Sequence, residues 1–156
     1  MIVMKENNNL INTILFQGKS RATGKWVEGD FVRDWNGMGA AIKVGEAFSL
    51  VVLETVRPFT HLYDKNQNKI FYGDIVKNKY GFIQVVVFEF GAWHFVECID
   101  YAYGERQGEN FFAPDKEFVD TEKQIICDEI IGNMFDNPEF INPDTVLETI
   151  QKVRTA

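Results

Sequence analysis

Apolar residues fall in short clusters along most of the chain, separated by polar or glycine-containing breaks. Ile14, Leu15 and Phe16 predict a first strand, and residues 21–24 a turn in which Gly24 supplies a permissive backbone. Residues 25–27 resume extended structure, Gly29 and Asp30 interrupt it, and Phe31 and Val32 restart it. After a loop at 34–39, residues 40–44 and 48–53 predict two strands separated by Gly45 and Glu46. The second is a continuous apolar run, the pattern of a strand buried on both faces. Residues 63–69, Tyr-Asp-Lys-Asn-Gln-Asn-Lys, predict a polar turn.

Residues 82–90 and 93–99 predict a hairpin joined by Gly91 and Ala92. Glycine at the first central position predicts a type II′ turn. Residues 103–116 are polar apart from Phe111 and Phe112 and read as an excursion, which the two rings either dock or leave as an exposed contact. Residues 124–131 are the last strand-like run. The tail has a helical period: Asn142 suits an N-cap and Pro143 the first helical position, and Val146, Leu147, Ile150 and Val153 share one face. A short helix over 142–156 is expected, its stripe packing on its own chain or on a neighbouring subunit. Residues 1–11 are polar and read as a flexible leader.

Composition sharpens the fold class. The 156 residues include 14 Phe, 5 Tyr, 3 Trp and 12 Gly, which favours many short strands and tight turns. The length suits one domain or two small ones. Acidic residues outnumber basic ones 23 to 16, for a net charge of −7 that disfavours nucleic acid and anionic lipid. The longest apolar runs are far short of the roughly 20 residues of a spanning helix, and no signal peptide begins the chain, so a cytosolic protein is expected. Cys98 and Cys127 read as reduced thiols, with a disulfide or metal pair as the alternative. With His61 and His94 the only histidines, no His-rich zinc site is expected.

Two segments echo each other. Residues 25–34, Lys-Trp-Val-Glu-Gly-Asp-Phe-Val-Arg-Asp, parallel residues 69–78, Lys-Ile-Phe-Tyr-Gly-Asp-Ile-Val-Lys-Asn. Both predict the same device, a sharp bend at Gly29 or Gly73 with Asp30 or Asp74 capping local amides. Two related β units and coincidence between two barrel corners are both open.

Residues 64–76, Asp-Lys-Asn-Gln-Asn-Lys-Ile-Phe-Tyr-Gly-Asp-Ile-Val, resemble the hallmark segment of the YopX family of bacteriophage and prophage proteins. Gln67 and Asn68 stand where that family usually has a glycine-containing turn. Residues 54–62, Glu-Thr-Val-Arg-Pro-Phe-Thr-His-Leu, are similar to the segment leading into it, and Val87, Phe88, Glu89 and Trp93 to its central hairpin. Residues 131–139, Ile-Gly-Asn-Met-Phe-Asp-Asn-Pro-Glu, resemble its closing segment, where Gly132 and Asn133 join the structural motif. The resemblance implies a mainly β fold: an SH3-like barrel with an appended amino-terminal β portion and a short carboxy-terminal helix. The expected boundaries are a leader at 1–11, a β portion at about 12–56, a barrel core at about 57–141 and a helix at 142–156. The resemblance brings no catalytic residues, and its biochemical role is uncharacterised.

Asp30 and Asp74 are the most tempting acid–base pair, yet Gly-Asp at a strand start is usually turn chemistry. Glu89 and Glu97, on opposite arms of the hairpin, read as solvated edges. Gly37-Met-Gly39 lacks the lysine and context of a phosphate loop, and neither Ser20 nor Ser49 lies in a nucleophile elbow. His94 reads as a structural or edge residue, whereas His61 is more open to a binding role. Lys65, Lys69, Lys77 and Lys79 interleave with Phe71, Tyr72 and Tyr80, a candidate interaction surface for single-stranded nucleic acid. The same lysines also suit a solvated sheet edge. The expectation is a non-enzymatic phage accessory protein without cofactor or metal, in the cytoplasm of an infected bacterium. Its expected partner is a host or phage protein, or a second copy of itself. The alternatives are a single-strand binder, an acidic nucleic-acid mimic and a small carboxylate-dependent hydrolase.

Overall fold

The computed structural model describes residues 14–104, the backbone of 110–111, and residues 116–155. The leader at 1–11, Phe112 and the side chain of Phe111 lie outside the described residues. The chain is mainly β and divides into two compact units, Met1–His61 and Leu62–Ala156.

In the first unit, β1 (Phe16–Ser20), β2 (Trp26–Val32), β3 (Ala41–Val44) and the 17-residue β4 (Ala47–Tyr63) pair antiparallel in chain order. β4 then pairs back onto β1, Phe16 opposite Pro58 and Ser20 opposite Val51. A register shift between Gln17 and Lys19 lets β4 bend, and the Thr55 hydroxyl accepts the Lys19 N–H there at 2.9 Å. Ala40, Ile42 and Val51 form the core, with Phe16, Val27, Phe31 and Val56 packed against it. The apolar run at 48–53 is not buried on both faces. Val51 is buried, whereas Phe48, Val52 and Leu53 face solvent, because this strand packs on one side only.

The second unit holds β5 (Lys69–Phe71), β6 (Asp74–Lys77), β7 (Ile83–Glu89), β8 (Ala92–Glu97), helix α1 (Cys98–Tyr103) and β9 (Asn110–Phe111). It continues with β10 (Phe118–Asp120), β11 (Ile125–Ile126), β12 (Glu129–Asn133), a 3-10 turn (Pro138–Phe140) and helix α2 (Val146–Thr155). Five strands form an antiparallel sheet in the order β12-β6-β7-β8-β9. β10 pairs with β11, and Ile125 of β11 runs parallel to Tyr63 at the end of β4. One core cluster gathers Ile75, Ile83, Val85, Val87, Val96, Cys98, Phe140, Val146 and Ile150. Another gathers Leu62, Ile70, Val76, Val86, Phe95 and Ile126.

The hairpin differs from its predicted turn. Glu89 pairs with Ala92, so the two-residue loop is Phe90 and Gly91. Their φ angles are 53° and 74°, both positive, which makes the turn type I′. Residues 98 and 99, expected to end the strand, and Tyr103, expected to begin the excursion, instead belong to α1, which is closed by Gly104 at φ 74°. The run at 124–131 is broken between β11 and β12.

Asn142 caps the tail as expected. Its side-chain oxygen accepts the Asp144 N–H at 2.8 Å, and its carbonyl accepts the Val146 N–H at 2.9 Å. The turn at 143–145 thus leads directly into α2. Val146 and Ile150 pack into the chain's own core, whereas Leu147 of the predicted stripe is exposed.

Candidate functional site

The hallmark turn is organised by Asp64, which is fully buried. One carboxylate oxygen accepts the N–H groups of Asn66 and Asn68, each at 2.9 Å, and the other accepts the Ile130 N–H at 3.1 Å. Gln67 takes φ 65°, the left-handed conformation that glycine adopts most easily. Asp74 is buried as well, and its carboxylate accepts the Phe71 N–H at 2.7 Å. Gly73, at φ 82°, makes the turn between β5 and β6. A Cβ on Gly73 would stand 2.9 Å from both the Met134 sulfur and the Phe135 ring. The closing segment therefore packs against the hallmark segment, and the Met134 N–H bonds the Gly73 carbonyl at 2.8 Å. Asn133 shapes that closing turn by accepting the N–H groups of Phe135 and Asp136, while its own N–H reaches the Asn137 side chain at 3.2 Å. A Cβ on Gly132 would meet that same Asn137 oxygen at 2.6 Å.

The two echoed Gly-Asp pairs do different work, contrary to the shared bend expected from sequence. β2 runs unbroken through Gly29, and exposed Asp30 pairs in register with Lys43. Gly29 is needed for proximity, since a Cβ there would lie 2.0 Å from the Lys43 carbonyl oxygen. Asp30 belongs to the first unit and Asp74 to the second, and the latter's carboxylate is committed to a backbone amide. Glu89 and Glu97 stand opposite Ala92 and Gln84, at the two ends of the β7–β8 ladder.

The predicted basic surface is also reworked. Phe71 is a core residue and Tyr72 packs against the first core cluster, so neither offers an open face for stacking. Lys65 pairs with Glu129 at 3.3 Å, and Glu129 stands opposite Lys77 across β12 and β6. Lys79 pairs with Glu117, whose other oxygen accepts the exposed Tyr80 hydroxyl at 3.1 Å. The Lys79–Glu117 bond raises the Lys79 ammonium above its ordinary range and lowers the Glu117 carboxyl. Lys69 is half-buried and likewise engaged.

A polar cluster that sequence reasoning missed lies inside the second unit. The Lys116 ammonium is buried 2.9 Å from the Asp128 carboxylate and 2.7 Å from the Gln84 side-chain oxygen, and 3.9 Å from the centre of the Phe95 ring. Lys116 and Asp128 line a cavity of about 40 Å³ together with Asn78, Tyr80 and Cys127. That volume suits little more than a water. No periodicity marks these residues, which come from five separate elements or loops. His94 is buried with its Nε2 2.9 Å from the Glu89 carbonyl, and half-buried His61 takes φ 70°.

Among the described residues, the hairpin tip is the most exposed aromatic feature. Phe90 is 86% exposed and Phe88 50%, and Trp93, opposite Phe88, meets it edge-on at 5.1 Å. Sequence reading found the hairpin, but a shift of one residue in its loop hid which side chain crowns it.

These features define a mainly β protein whose marked motifs hold turns and strands together. The sequence model of the family described as YopX protein matches residues 3–142. The chain belongs to the YopX family. A comparison with curated proteins gives no match.

Proposed function

We propose that this chain is a non-enzymatic accessory protein of a bacteriophage or prophage that binds another protein through the β7–β8 hairpin. The supporting observation is Phe90. A type I′ turn prefers asparagine at this position, and a bulky residue at positive φ costs about 1 kcal/mol. The chain nevertheless carries an aromatic ring there, 86% exposed, next to Phe88 and Trp93. Local strain spent on presenting an apolar anchor fits recognition better than folding. Asp64, Asp74 and Asp128 are each engaged by backbone amides or by Lys116, which fits architecture better than proton transfer. The SH3-like reading belongs to the barrel core expected at about 57–141, and it is supported by the antiparallel run β6-β7-β8 with β12 returning to β6. A host or phage protein in the bacterial cytoplasm is the partner this reading implies.

The test is affinity capture from infected-host lysate with and without nuclease, using the natural chain and Phe90→Asn. A nuclease-resistant protein species held by the natural chain and lost by the variant is expected, with no fall in the variant's Tm. Identical capture by both, or only nuclease-sensitive capture, would defeat the reading.

A further inference from the structure

The charge of this chain is unevenly divided. Residues 1–61 carry seven Lys or Arg against six Asp or Glu, a net charge of +1, while residues 62–156 carry nine against seventeen, a net charge of −8. The acidity that disfavours a polyanion therefore belongs to the second unit.

Around the loop at 34–39 of the first unit, partly exposed aromatic rings lie close to cations that have no acidic partner. Trp35 and Phe48 stack at 5.0 Å and 10°, and Phe48 is 37% exposed. The loop carrying Trp35 closes through the Trp35 N–H to the Gly39 carbonyl and the Met38 N–H to the Trp35 carbonyl, both at 2.9 Å. Lys43, opposite Phe48 in the β3–β4 register, places its ammonium 5.9 Å from that ring. Arg33, two residues before Trp35, sets its guanidinium 5.8 Å from the Phe31 ring. Arg21 reaches the same loop, donating to the Met38 carbonyl at 3.3 Å and to the Val51 carbonyl at 3.2 Å.

Among the described residues, none of these three cations forms an ion pair. Three acids lie nearby. Asp34 turns its carboxylate to the Gly39 N–H at 3.0 Å, Asp30 faces Lys43 in register without pairing, and Glu46 sits in the turn between β3 and β4. Aromatic rings bordered by cations without an acidic partner are the elements that hold single-stranded nucleic acid, bases on the rings and phosphates on the charges.

We propose that the first unit binds single-stranded nucleic acid without sequence preference, stacking bases on Trp35 and Phe48 and placing phosphates against Arg21, Arg33 and Lys43. These residues belong to the first unit, whereas the Lys65 to Lys79 cluster belongs to the second, where Lys65 and Lys79 pair with Glu129 and Glu117.

The test is fluorescence anisotropy with a labelled oligothymidylate of about 16 nucleotides at about 50 mM salt, followed by a salt titration. Saturable binding is expected, with Arg33→Glu and Lys43→Glu each weakening it about tenfold and flattening the log–log salt slope by roughly 0.7. Phe48→Leu keeps the strand and removes the ring, and is expected to weaken binding several-fold with an unchanged circular-dichroism spectrum. Lys77→Glu and Phe90→Asn are expected to leave binding as it is. Absence of binding at low salt, indifference to Arg33→Glu and Lys43→Glu, loss on Lys77→Glu, or equal affinity for a duplex would each overturn the proposal.

Discussion

Asp64 opens the family's hallmark segment and is fully buried, an unusual place for a carboxylate. It is tolerated because three backbone N–H groups, from Asn66, Asn68 and Ile130, supply the hydrogen bonds that water would have given. In Asp64→Asn, one oxygen becomes an NH2 group aimed at an N–H donor. The substitution is expected to cost about 2 kcal/mol, read from urea unfolding midpoints at constant m. A variant as stable as the natural chain would show that the buried bonds carry no net stabilisation. Sequence reading recognised the segment around Asp64 but not this role, because the third donor lies 66 residues away.

Lys79 and Glu117 give a contrasting residue-scale case, since both are exposed. Their mutual hydrogen bond lowers Glu117 below its ordinary 4.5 and raises Lys79 above its ordinary 10.5. The Glu117 contribution is therefore present above 4.5 and lost as pH falls through the lowered folded value. The Lys79 contribution is present below 10.5 and lost as pH rises through the raised folded value. Solvent screening keeps the effect on stability small. Lys79→Met is expected to return the Glu117 titration toward 4.5 in carbon-detected NMR, with little change in Tm. A Glu117 titration that does not move would separate the two groups.

At the scale of elements, glycines show how similar local sequences diverge. Gly29 lies mid-strand where β3 approaches closely, whereas Gly91 occupies an open turn at φ 74°. In Gly29→Ala, the added methyl meets backbone, so β2 and β3 must separate and a loss of 3 kcal/mol or more is expected, near the upper range for overpacking (~3). Gly91→Ala meets only the left-handed penalty, about 1 kcal/mol. Thermal unfolding of the two variants checks the order, and a Gly91→Ala loss as large as that of Gly29→Ala would contradict it. The echo between 25–34 and 69–78 was legible as a repeated string, but which work each glycine does depends on partners outside the string. The hairpin strands were legible from their apolar runs. The turn type was not, because Phe90 is a poor sequence marker for positive φ. The solvent-facing half of 48–53 was hidden for a similar reason: a strand covered on one side can still carry Phe48, Val52 and Leu53 outward.

For the whole molecule, family and β class were readable because short ordered motifs survive as local strings. The division at His61 falls inside the continuous strand β4, near the boundary at about 56 expected from the sequence. The tail tests how far the family match describes the folded body. That match ends at residue 142, yet α2 at Val146–Thr155 contributes Val146 and Ile150 to the core that contains Cys98 and Phe140. The helix is therefore expected to be structural, and Cys98 can report it. Burial, reinforced by neighbouring Glu97, pushes the Cys98 thiol up to about 12, so almost no thiolate exists at neutral pH in the closed structure. Cys127 is only partly buried and should react first with a disulfide reagent. Ile150→Ala removes buried methyl groups and is expected to cost about 3 kcal/mol. If labelling of Cys98 proceeds through rapid opening and reclosing, that loss raises its rate roughly a hundredfold, since each 1.4 kcal/mol is about tenfold. Leu147→Ala, at an exposed position of the same helix, should leave the rate near that of the natural chain. Equal Cys98 rates in the natural chain and in Ile150→Ala would mean that α2 is an appendage the core can lose.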